Sequence, residues 1–206
     1  MKNYIIDGVA NKGPTFLFSH GAGAPMDTGF MNFFAQGLSN KGFRVVRFEF
    51  DYMLERRKTN KRRPPDRLPK LLEAYLSVIK KFPETPLIIG GKSMGGRVAS
   101  LIASEYPQLI KGCICLGYPF HPPRKPEKLR TAHLEDISTK TLICQGERDR
   151  FGTKADVNTY ILSKNIHLFW APDGDHDLKP RKSFSLTEEE NWTNTVQEII
   201  IWAKNL

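Results

Sequence analysis

The sequence predicts an α/β fold, with a mostly parallel sheet of about seven strands and helices on both faces. Seven short apolar segments alternate along the chain with segments of helical periodicity. Continuous apolar segments are typical of parallel strands that are covered on both faces, and their alternation with helices favours crossover connections. The predicted strands are Asn3–Asp7, Thr15–Ser19, Arg44–Phe50, Leu87–Gly90, Gly112–Leu116, Thr141–Gln145 and His167–Ala171.

Five helices are expected between and after these strands. The segments TGFMNFFAQGLSNKG and DRLPKLLEAYLSVIKKF both repeat apolar residues at helical spacing. A third helix follows Ser93, and a fourth, in TKADVNTYILSK, begins at an N-cap Thr153. The last begins at Ser185 or Thr187, where the acidic TEEE segment suits the positive end of a helix dipole.

The composition predicts one domain, 1–206, with an ordinary core. The chain has 206 residues, of which 40% are hydrophobic and 26% are charged. No apolar segment approaches the length of about 18 residues that a membrane span needs, and the N-terminus lacks the apolar region of a signal peptide. Cys113, Cys115 and Cys144 lie inside apolar segments, which indicates reduced, buried thiols in a cytoplasmic protein.

The positive charge of the chain is concentrated in one segment. The net charge is +9, and Glu55–Lys70 alone holds eight basic and two acidic residues. This segment can be a solvated loop, an electrostatic funnel for an anionic substrate or a nucleic-acid contact. Aromatic residues do not interleave with the charges, so stacking on single strands is disfavoured and a nucleic-acid partner is not expected.

Two connections are long for a compact domain. One runs over Met53–Pro65, and the other, Tyr118–Ser138, contains several prolines. Loops of this length are usually functional or mobile.

A serine surrounded by glycines follows the fourth predicted strand. The segment GKSMG, residues 91–95, matches the pattern G-x-S-x-G, with a strand before it and a helix after it. This pattern places a serine on a tight strand-to-helix turn, where glycine at positions −2 and +2 avoids collisions. Ser93 is therefore the candidate nucleophile, and an ordinary N-cap serine is the alternative.

A serine needs a general base, and the base needs an acid that orients it. Proteins with this turn present the acid and then the base after later strands. Asp149, in GERDRFG, is the candidate acid, with Glu147 as the alternative. His176, in GDHDL, is the candidate base. Three further carboxylates lie near it in the sequence, and their two alternative roles are to compete for the imidazole or only to cap the turn: Asp173, Asp175 and Asp177.

Two backbone N–H groups are expected to stabilise an oxyanion beside the serine. One belongs to Met94, the residue after the nucleophile. The other is expected from Ala22, with Gly21 or Gly23 as alternatives, in the small-residue loop HGAGA after the second strand. His20 is expected to hold this loop by a hydrogen bond.

The motifs HGAG, GKSMGGR, GERDRFG and GDHDL together resemble the α/β-hydrolase fold, and more narrowly its small, capless, dienelactone-hydrolase-like branch. The segments RFEFDYM, RRPPDR and LGYPFHPP are similar to a group in that branch. Animal members of the group include a testis-expressed protein and a subunit of the non-specific-lethal histone acetyltransferase complex. The resemblance covers residues 3–202, and 206 residues leave no room for a cap domain. It implies roles for these residues: Ser93, Asp149, His176, Ala22 and Met94.

The group-level motifs fall on the two long connections. Both connections leave the carboxyl ends of strands, where ligands bind in open α/β sheets. We therefore expect them to wall a substrate pocket, although packing of a Pro-rich loop and solvated charges are the alternatives. The candidate pocket residues are Tyr118, Phe120, His121, Arg62, Arg63 and Arg67.

These residues predict a serine hydrolase that acts on a small soluble ester or thioester through an acyl-enzyme. The substrate is expected to be a small molecule, for which the basic segment would suit an anion, and no cofactor, metal or membrane is implied. A hydrolase-fold interaction module with little or no catalysis is the alternative from another class. The sequence does not predict an oligomeric state.

Overall fold

A seven-stranded sheet crosses the protein in a computed structural model that describes residues 4–9, 13–83 and 86–206. The strands are β1 (Tyr4–Asp7), β2 (Thr15–Ser19), β3 (Arg44–Phe48), β4 (Leu87–Lys92), β5 (Gly112–Leu116), β6 (Thr141–Gly146) and β7 (Ile166–Ala171). Their order is β1-β3-β2-β4-β5-β6-β7, and only the pairing of β1 with β3 is antiparallel. The predicted mostly parallel sheet is confirmed, although Asn3 lies outside the described residues.

Helices connect the strands. They are α1 (Gly29–Ser39), α2 (Asp51–Thr59), α3 (Leu68–Lys81), α4 (Met94–Glu105), α5 (Lys154–Val157) and α6 (Glu188–Ala203), with a 3₁₀ turn at Ala132–Leu134. The last helix begins after Thr187, whose side chain forms a capping box with Glu190. No separate cap domain occurs among the residues that the structure describes. In the same residues, no helix has both the length and the apolarity needed to cross a bilayer.

Helices cover both faces of the sheet. Neighbouring residues of a strand point to opposite faces, so each strand contributes apolar side chains to both sides. In β2, Phe16 and Phe18 pack against α1 and α6, whereas Leu17 packs against α2, α3 and α4. All three side chains are fully buried. Because β2 and β4 to β7 run parallel to one another, their carboxyl ends lie at one edge of the sheet, where the loops that follow them can meet.

The basic segment is more structured than the sequence predicts. The third strand ends at Phe48, two residues early, and most of the expected loop Met53–Pro65 is helix α2. Only Tyr52 and Met53 of this helix are buried, so its sequence carries no apolar stripe that would signal a helix. Asp51 in its first turn and three basic residues in its last turn suit the helix dipole.

The segment 118–138 enters the core at both ends, whereas its middle, residues 123–129, is exposed. Its side chains Leu134 and Ile137 are buried together with residues at its start. The helix expected from Thr153 is real but short. Thr153 caps it as predicted, and it ends after one turn at Val157.

The three cysteines are free and buried, as predicted. Cys113 and Cys115 lie on β5 and Cys144 lies on β6. Burial raises the pKa of the Cys144 thiol well above its ordinary value, so this side chain stays protonated and packs as an apolar group.

Candidate active site

Ser93 occupies a sharp turn between β4 and α4. Its backbone has φ 51° and ψ −114°, a conformation that side chains other than glycine rarely adopt. A Cβ at Gly91 or at Gly95 would collide with the Ser19 hydroxyl, and a Cβ at Gly96 would lie 2.7 Å from the Gly91 carbonyl oxygen. The glycines around the serine therefore let β2 and β4 approach this turn closely enough to present its hydroxyl.

Ser93, His176 and Asp149 form one chain of hydrogen bonds. The Ser93 hydroxyl lies 2.8 Å from His176 Nε2, and His176 Nδ1 lies 2.8 Å from Asp149 Oδ2. With the proton on Nδ1, the imidazole donates to the carboxylate and accepts from the serine. The three residues come from the ends of three different strands, so the sheet edge brings them together.

Asp149 is fully buried, and further donors hold its carboxylate in place. Gln145 Nε2 donates to Oδ2 at 2.9 Å, and the Phe151 N–H donates to Oδ1 at 2.9 Å. Gln145 also bonds both backbone polar groups of Tyr118, which ties β6 to the segment after β5. A buried carboxylate with several donors is suited to orient a histidine without leaving its own charge unsatisfied.

The neighbouring acids have other partners. Glu147 bonds Lys154, Asp173 bonds Arg181, and the Asp175 carboxylate accepts backbone N–H groups of its own turn. Asp177 forms an ion pair with Lys92 at 3.2 Å. Of the carboxylates that the sequence leaves open, only Asp149 contacts the imidazole in the structure.

Lys92, the residue before the serine, is buried at the site. Its ammonium donates to the carbonyl oxygen of His176 and lies 5.3 Å from the centre of the Phe30 ring. Burial lowers the pKa of Lys92, and Asp177 opposes this effect. The side chain thus connects the residue before the serine to the loop that carries the imidazole.

The loop after β2 is held from behind by side chains. His20 Nδ1 donates to the Gly21 carbonyl at 2.6 Å, and its Nε2 accepts the Phe50 N–H at 3.2 Å. The Tyr52 hydroxyl lies 3.0 Å from the Ala22 carbonyl oxygen and 3.3 Å from that of Gly21. Burial lowers the pKa of His20, which keeps the ring neutral and able to accept.

This arrangement orients the peptide that carries the Ala22 N–H. In a trans peptide the N–H points away from the C=O of the same unit. Because His20 and Tyr52 hold the Gly21 carbonyl, the Ala22 N–H faces the opposite way. Ala22 and Met94, the two residues expected to supply oxyanion donors, line one recess together with Ser93.

Two recesses meet at Ser93. The apolar recess has a volume of about 300 Å³, and its wall includes Ala24, Pro25, Phe30 and Met31. The arginine recess has a volume of about 350 Å³, and its wall includes Pro65, Leu68, Arg97, Pro119 and Arg130. Both recesses also contain Ala22, Ser93 and Phe151.

The prediction that residues after β5 line the substrate pocket is wrong for three side chains. Tyr118 and Phe120 are fully buried and His121 is 4% exposed, and none of the three lines either recess. Tyr118 donates its hydroxyl to the Arg130 carbonyl, and Phe120 packs against Gly152. The alternative that the sequence left open, packing of this segment, holds for these side chains, because the rings of Tyr118 and Phe120 are part of the hydrophobic core.

The predicted arginines lie beside the site and not in it. Arg62 and Arg63 line a shallow recess next to Ala22 that does not contain the serine. Arg63 pairs with Glu55 and with Asp66. Arg67 is the N-cap residue of α3 and makes no side-chain capping bond.

Sequence reasoning missed three side chains of the site: Arg97, Arg130 and Phe151. Arg97 follows Ser93 by four residues, so helical spacing alone could have placed it near the serine. The other residues come from segments whose position depends on the complete fold. The centres of the Phe151 ring and the His176 imidazole are 4.3 Å apart.

Several solved structures resemble this fold over nearly the whole chain. Est1E from Butyrivibrio proteoclasticus is 16% identical with a TM-score of 0.75, and the match covers 98% of this chain and 94% of that chain. Dienelactone hydrolase from Anabaena variabilis ATCC 29413 is 16% identical, with a TM-score of 0.70 and coverages of 98% and 90%. An α/β serine hydrolase homologue from Coxiella burnetii is 17% identical, with a TM-score of 0.67 and coverages of 98% and 90%. At these identities the likeness shows a common fold.

A family model described as an alpha/beta hydrolase domain matches residues 12–204. The match includes the turn at Ser93 and the loops that carry Asp149 and His176. It spans nearly the whole chain of 206 residues. The chain therefore belongs to the α/β-hydrolase domain family.

Proposed function

We propose that the protein is a serine hydrolase that cleaves small esters or thioesters through an acyl-enzyme. The hydrogen-bonded chain from Asp149 through His176 to Ser93 is the observation that carries this proposal. Fold alone does not establish an activity. However, nucleophile, base and orienting acid at hydrogen-bond distance are the arrangement that nucleophilic catalysis requires.

In the first step, Ser93 Oγ attacks the acyl carbon while His176 Nε2 takes the hydroxyl proton. Asp149 stabilises the imidazolium, and the N–H groups of Ala22 and Met94 stabilise the oxyanion. The imidazolium then protonates the leaving alcohol or thiol, and the C–O or C–S bond breaks. Water attacks the acyl-enzyme by the same sequence of proton transfers, which releases the acid and restores the serine.

The chemical class agrees with the names of structural relatives. The proteins of similar fold include a dienelactone hydrolase and a serine hydrolase homologue. The narrower likeness to the group with the testis-expressed protein remains part of this proposal and rests on the motifs RRPPDR and YPFHPP.

A small-molecule substrate is favoured over a nucleic acid by the pairing of the basic segment. Arg57 bonds Glu49 and Asp27, Arg63 bonds Asp66, and Arg56 donates to the Gly23 carbonyl. Guanidinium groups engaged in this way contribute less to binding a phosphate backbone, because a nucleic acid would have to displace their partners.

Labelling with a fluorophosphonate probe tests the proposal directly. We expect one adduct, mapped to Ser93 by mass spectrometry, and no adduct in Ser93→Ala or His176→Gln. Urea unfolding of each variant shows whether it is folded. A folded wild-type protein that takes no label contradicts the proposal and favours the interaction module, for which partner capture is the next experiment.

A further inference from the structure

Two arginine side chains without a counter-ion line the recess next to Ser93. Arg97 lies on α4, one helical turn after the serine, and Arg130 comes from the segment after β5. Among the residues that the structure describes, 4–9, 13–83 and 86–206, no carboxylate forms an ion pair with either guanidinium. The Nε atom of Arg97 is buried and has no hydrogen-bond partner. Guanidinium groups that line a recess without a counter-ion make it a favourable place for an anionic group of a ligand.

The surroundings do not neutralise these two charges. Burial, and next the Arg97 guanidinium, lower the pKa of Arg130 from its ordinary value, yet an arginine remains charged. Burial and Arg97 also lower the pKa of His133 to about 4, so this ring is neutral at pH 7 and bonds Ser100 at 2.8 Å.

One carboxylate lines the recess, and its charge is already compensated. Asp66 accepts a hydrogen bond from Arg63 at 2.8 Å, and Lys70 lies 3.5 Å from its other oxygen. The Asp66 side chain is 8% exposed. The recess as a whole therefore carries an excess of positive charge and offers a favourable site to an anion.

The same recess contains the reacting hydroxyl. Ser93, Met94 and Ala22 form its wall together with the two arginines. A molecule whose acyl carbon lies at Ser93 Oγ can thus place a second group against the guanidiniums. The volume of about 350 Å³ limits this molecule to a small one.

We propose that Arg97 and Arg130 bind a carboxylate of the substrate, so that the substrates are small esters or thioesters that also carry a carboxylate. This inference rests on the proposed function, because it takes Ser93 as the nucleophile. The planar guanidinium fork matches a carboxylate in a bidentate manner. The sequence instead suggested Arg62 and Arg63 for such a contact, but their recess does not contain the serine.

Two matched esters test the inference. Mono-4-nitrophenyl adipate and 4-nitrophenyl hexanoate have the same acyl length, and only the first has a terminal carboxylate. We expect the wild-type protein to prefer the adipate ester in kcat/KM at constant ionic strength. Because hydrogen bonds to charged groups are at stake, Arg97→Gln or Arg130→Gln should lower the adipate-to-hexanoate ratio by about 10- to 100-fold.

Control variants show whether the effect belongs to this recess. Arg124→Gln removes the same charge from an exposed position of the same segment and should leave the ratio unchanged. Arg62→Gln tests the shallow recess and should also leave the ratio unchanged. Arg97→Lys keeps the charge without the fork, so it should lower the ratio less than Arg97→Gln does.

A second pair of esters covers a carboxylate on the leaving group, namely 3-carboxyphenyl hexanoate and phenyl hexanoate. A preference for the charged member of either pair that depends on Arg97 and Arg130 supports the inference. Preference in neither pair, or a preference that both glutamine variants retain, overturns it. Stronger inhibition by inorganic phosphate than by adipate would also overturn the choice of a carboxylate.

Labelling and binding separate this inference from the proposed function. If Ser93 takes the fluorophosphonate label but no charged ester is preferred, the hydrolase stands and the anion site is wrong. If Ser93 takes no label, calorimetry with adipate decides about the anion site alone. Binding by the wild-type protein that is lost in Arg97→Gln and Arg130→Gln supports the site, and no binding by the wild-type protein contradicts it.

Discussion

The two recesses that meet at Ser93 differ in how the chain builds them. The apolar recess takes most of its wall from residues 21–31, one continuous stretch that runs from the end of β2 into α1. The arginine recess combines the start of α3, the first turns of α4 and two residues of the segment after β5. One wall is therefore local in sequence, and the other exists only in the complete fold.

This difference separates two tasks of the site. An apolar wall accepts groups by size, and a missing or extra methylene changes binding only modestly. Charged donors without a partner select much more strongly, because the wrong substrate leaves them unsatisfied. We therefore expect selectivity to come from the arginine recess, while turnover depends on Ser93 and on the groups that activate it, His176 and Asp149.

The largest expected effect comes from a residue that lies outside both recesses. Asp149→Asn should lower kcat by about 10⁴-fold for charged and neutral esters alike, because the amide no longer fixes the imidazole tautomer. Steady-state kinetics with both esters measures this. Glu147→Gln, at the alternative acid, should keep its activity. Loss of activity in Glu147→Gln with retention in Asp149→Asn would reverse the assignment.

Tyr52→Phe should have the next largest effect. The change removes the hydroxyl that bonds the carbonyls of Gly21 and Ala22, so His20 alone holds the Gly21 carbonyl and the direction of the Ala22 N–H is less strictly fixed. We expect kcat to fall about tenfold for both esters, less than for the complete removal of an oxyanion donor. An increase of KM with unchanged kcat would assign Tyr52 to binding or stability instead. Urea unfolding provides the stability control.

Ala24→Leu should affect the apolar recess alone. Ala24 is exposed on its wall, so the larger side chain narrows the recess without entering the core. Relative to 4-nitrophenyl acetate, kcat/KM for 4-nitrophenyl hexanoate should fall about tenfold, the cost of a few methylenes that no longer fit. Ala132→Leu, at an exposed site elsewhere, is the control. If Ala24→Leu leaves the chain-length profile unchanged, neutral acyl groups do not occupy this recess.

The last expected effect concerns stability and pH at the arginine recess, and not a rate. The pKa of His133 is about 4 in the folded protein and about 6.5 in the unfolded chain, so the unfolded chain binds the extra proton between these values. The free energy of unfolding should therefore decrease as the pH falls from 6.5 to 4. Urea unfolding should show a smaller decrease for His133→Gln. An equal decrease in both proteins would mean that His133 titrates normally.

Sequence alone predicted the sheet and the three hydrogen-bonded side chains well, because their signals are local. A continuous apolar strand followed by a glycine-rich turn needs no knowledge of the rest of the chain. Gly91 and Gly95 are also a local signal, because their lack of a side chain indicates that another part of the chain, here Ser19, approaches the turn closely. Loops that follow parallel strands meet at one edge, so Asp149 and His176 could be placed together by their positions in the chain.

Local signals failed where tertiary packing decides. Helix α2 has almost no apolar stripe, and the core contacts of Tyr52 and Met53 hold it in place. Tyr118 and Phe120 have the composition of pocket residues, yet the fold uses their rings to fill the core. Arg130 lies 37 positions after Ser93 in the numbering and reaches the recess only through the path of the segment after β5.

The backbone conformation of Ser93 lowers the stability of the folded protein, and the chain keeps its hydroxyl at this cost. A non-glycine residue held at φ 51° and ψ −114° costs about 1 to 3 kcal/mol of conformational energy. Glycine would relieve this energy at the cost of a more flexible unfolded chain, whereas alanine would keep the strain and lose the nucleophile. Ser93→Gly should therefore be more stable than Ser93→Ala. A chain that had no use for the hydroxyl would be expected to carry glycine at this position.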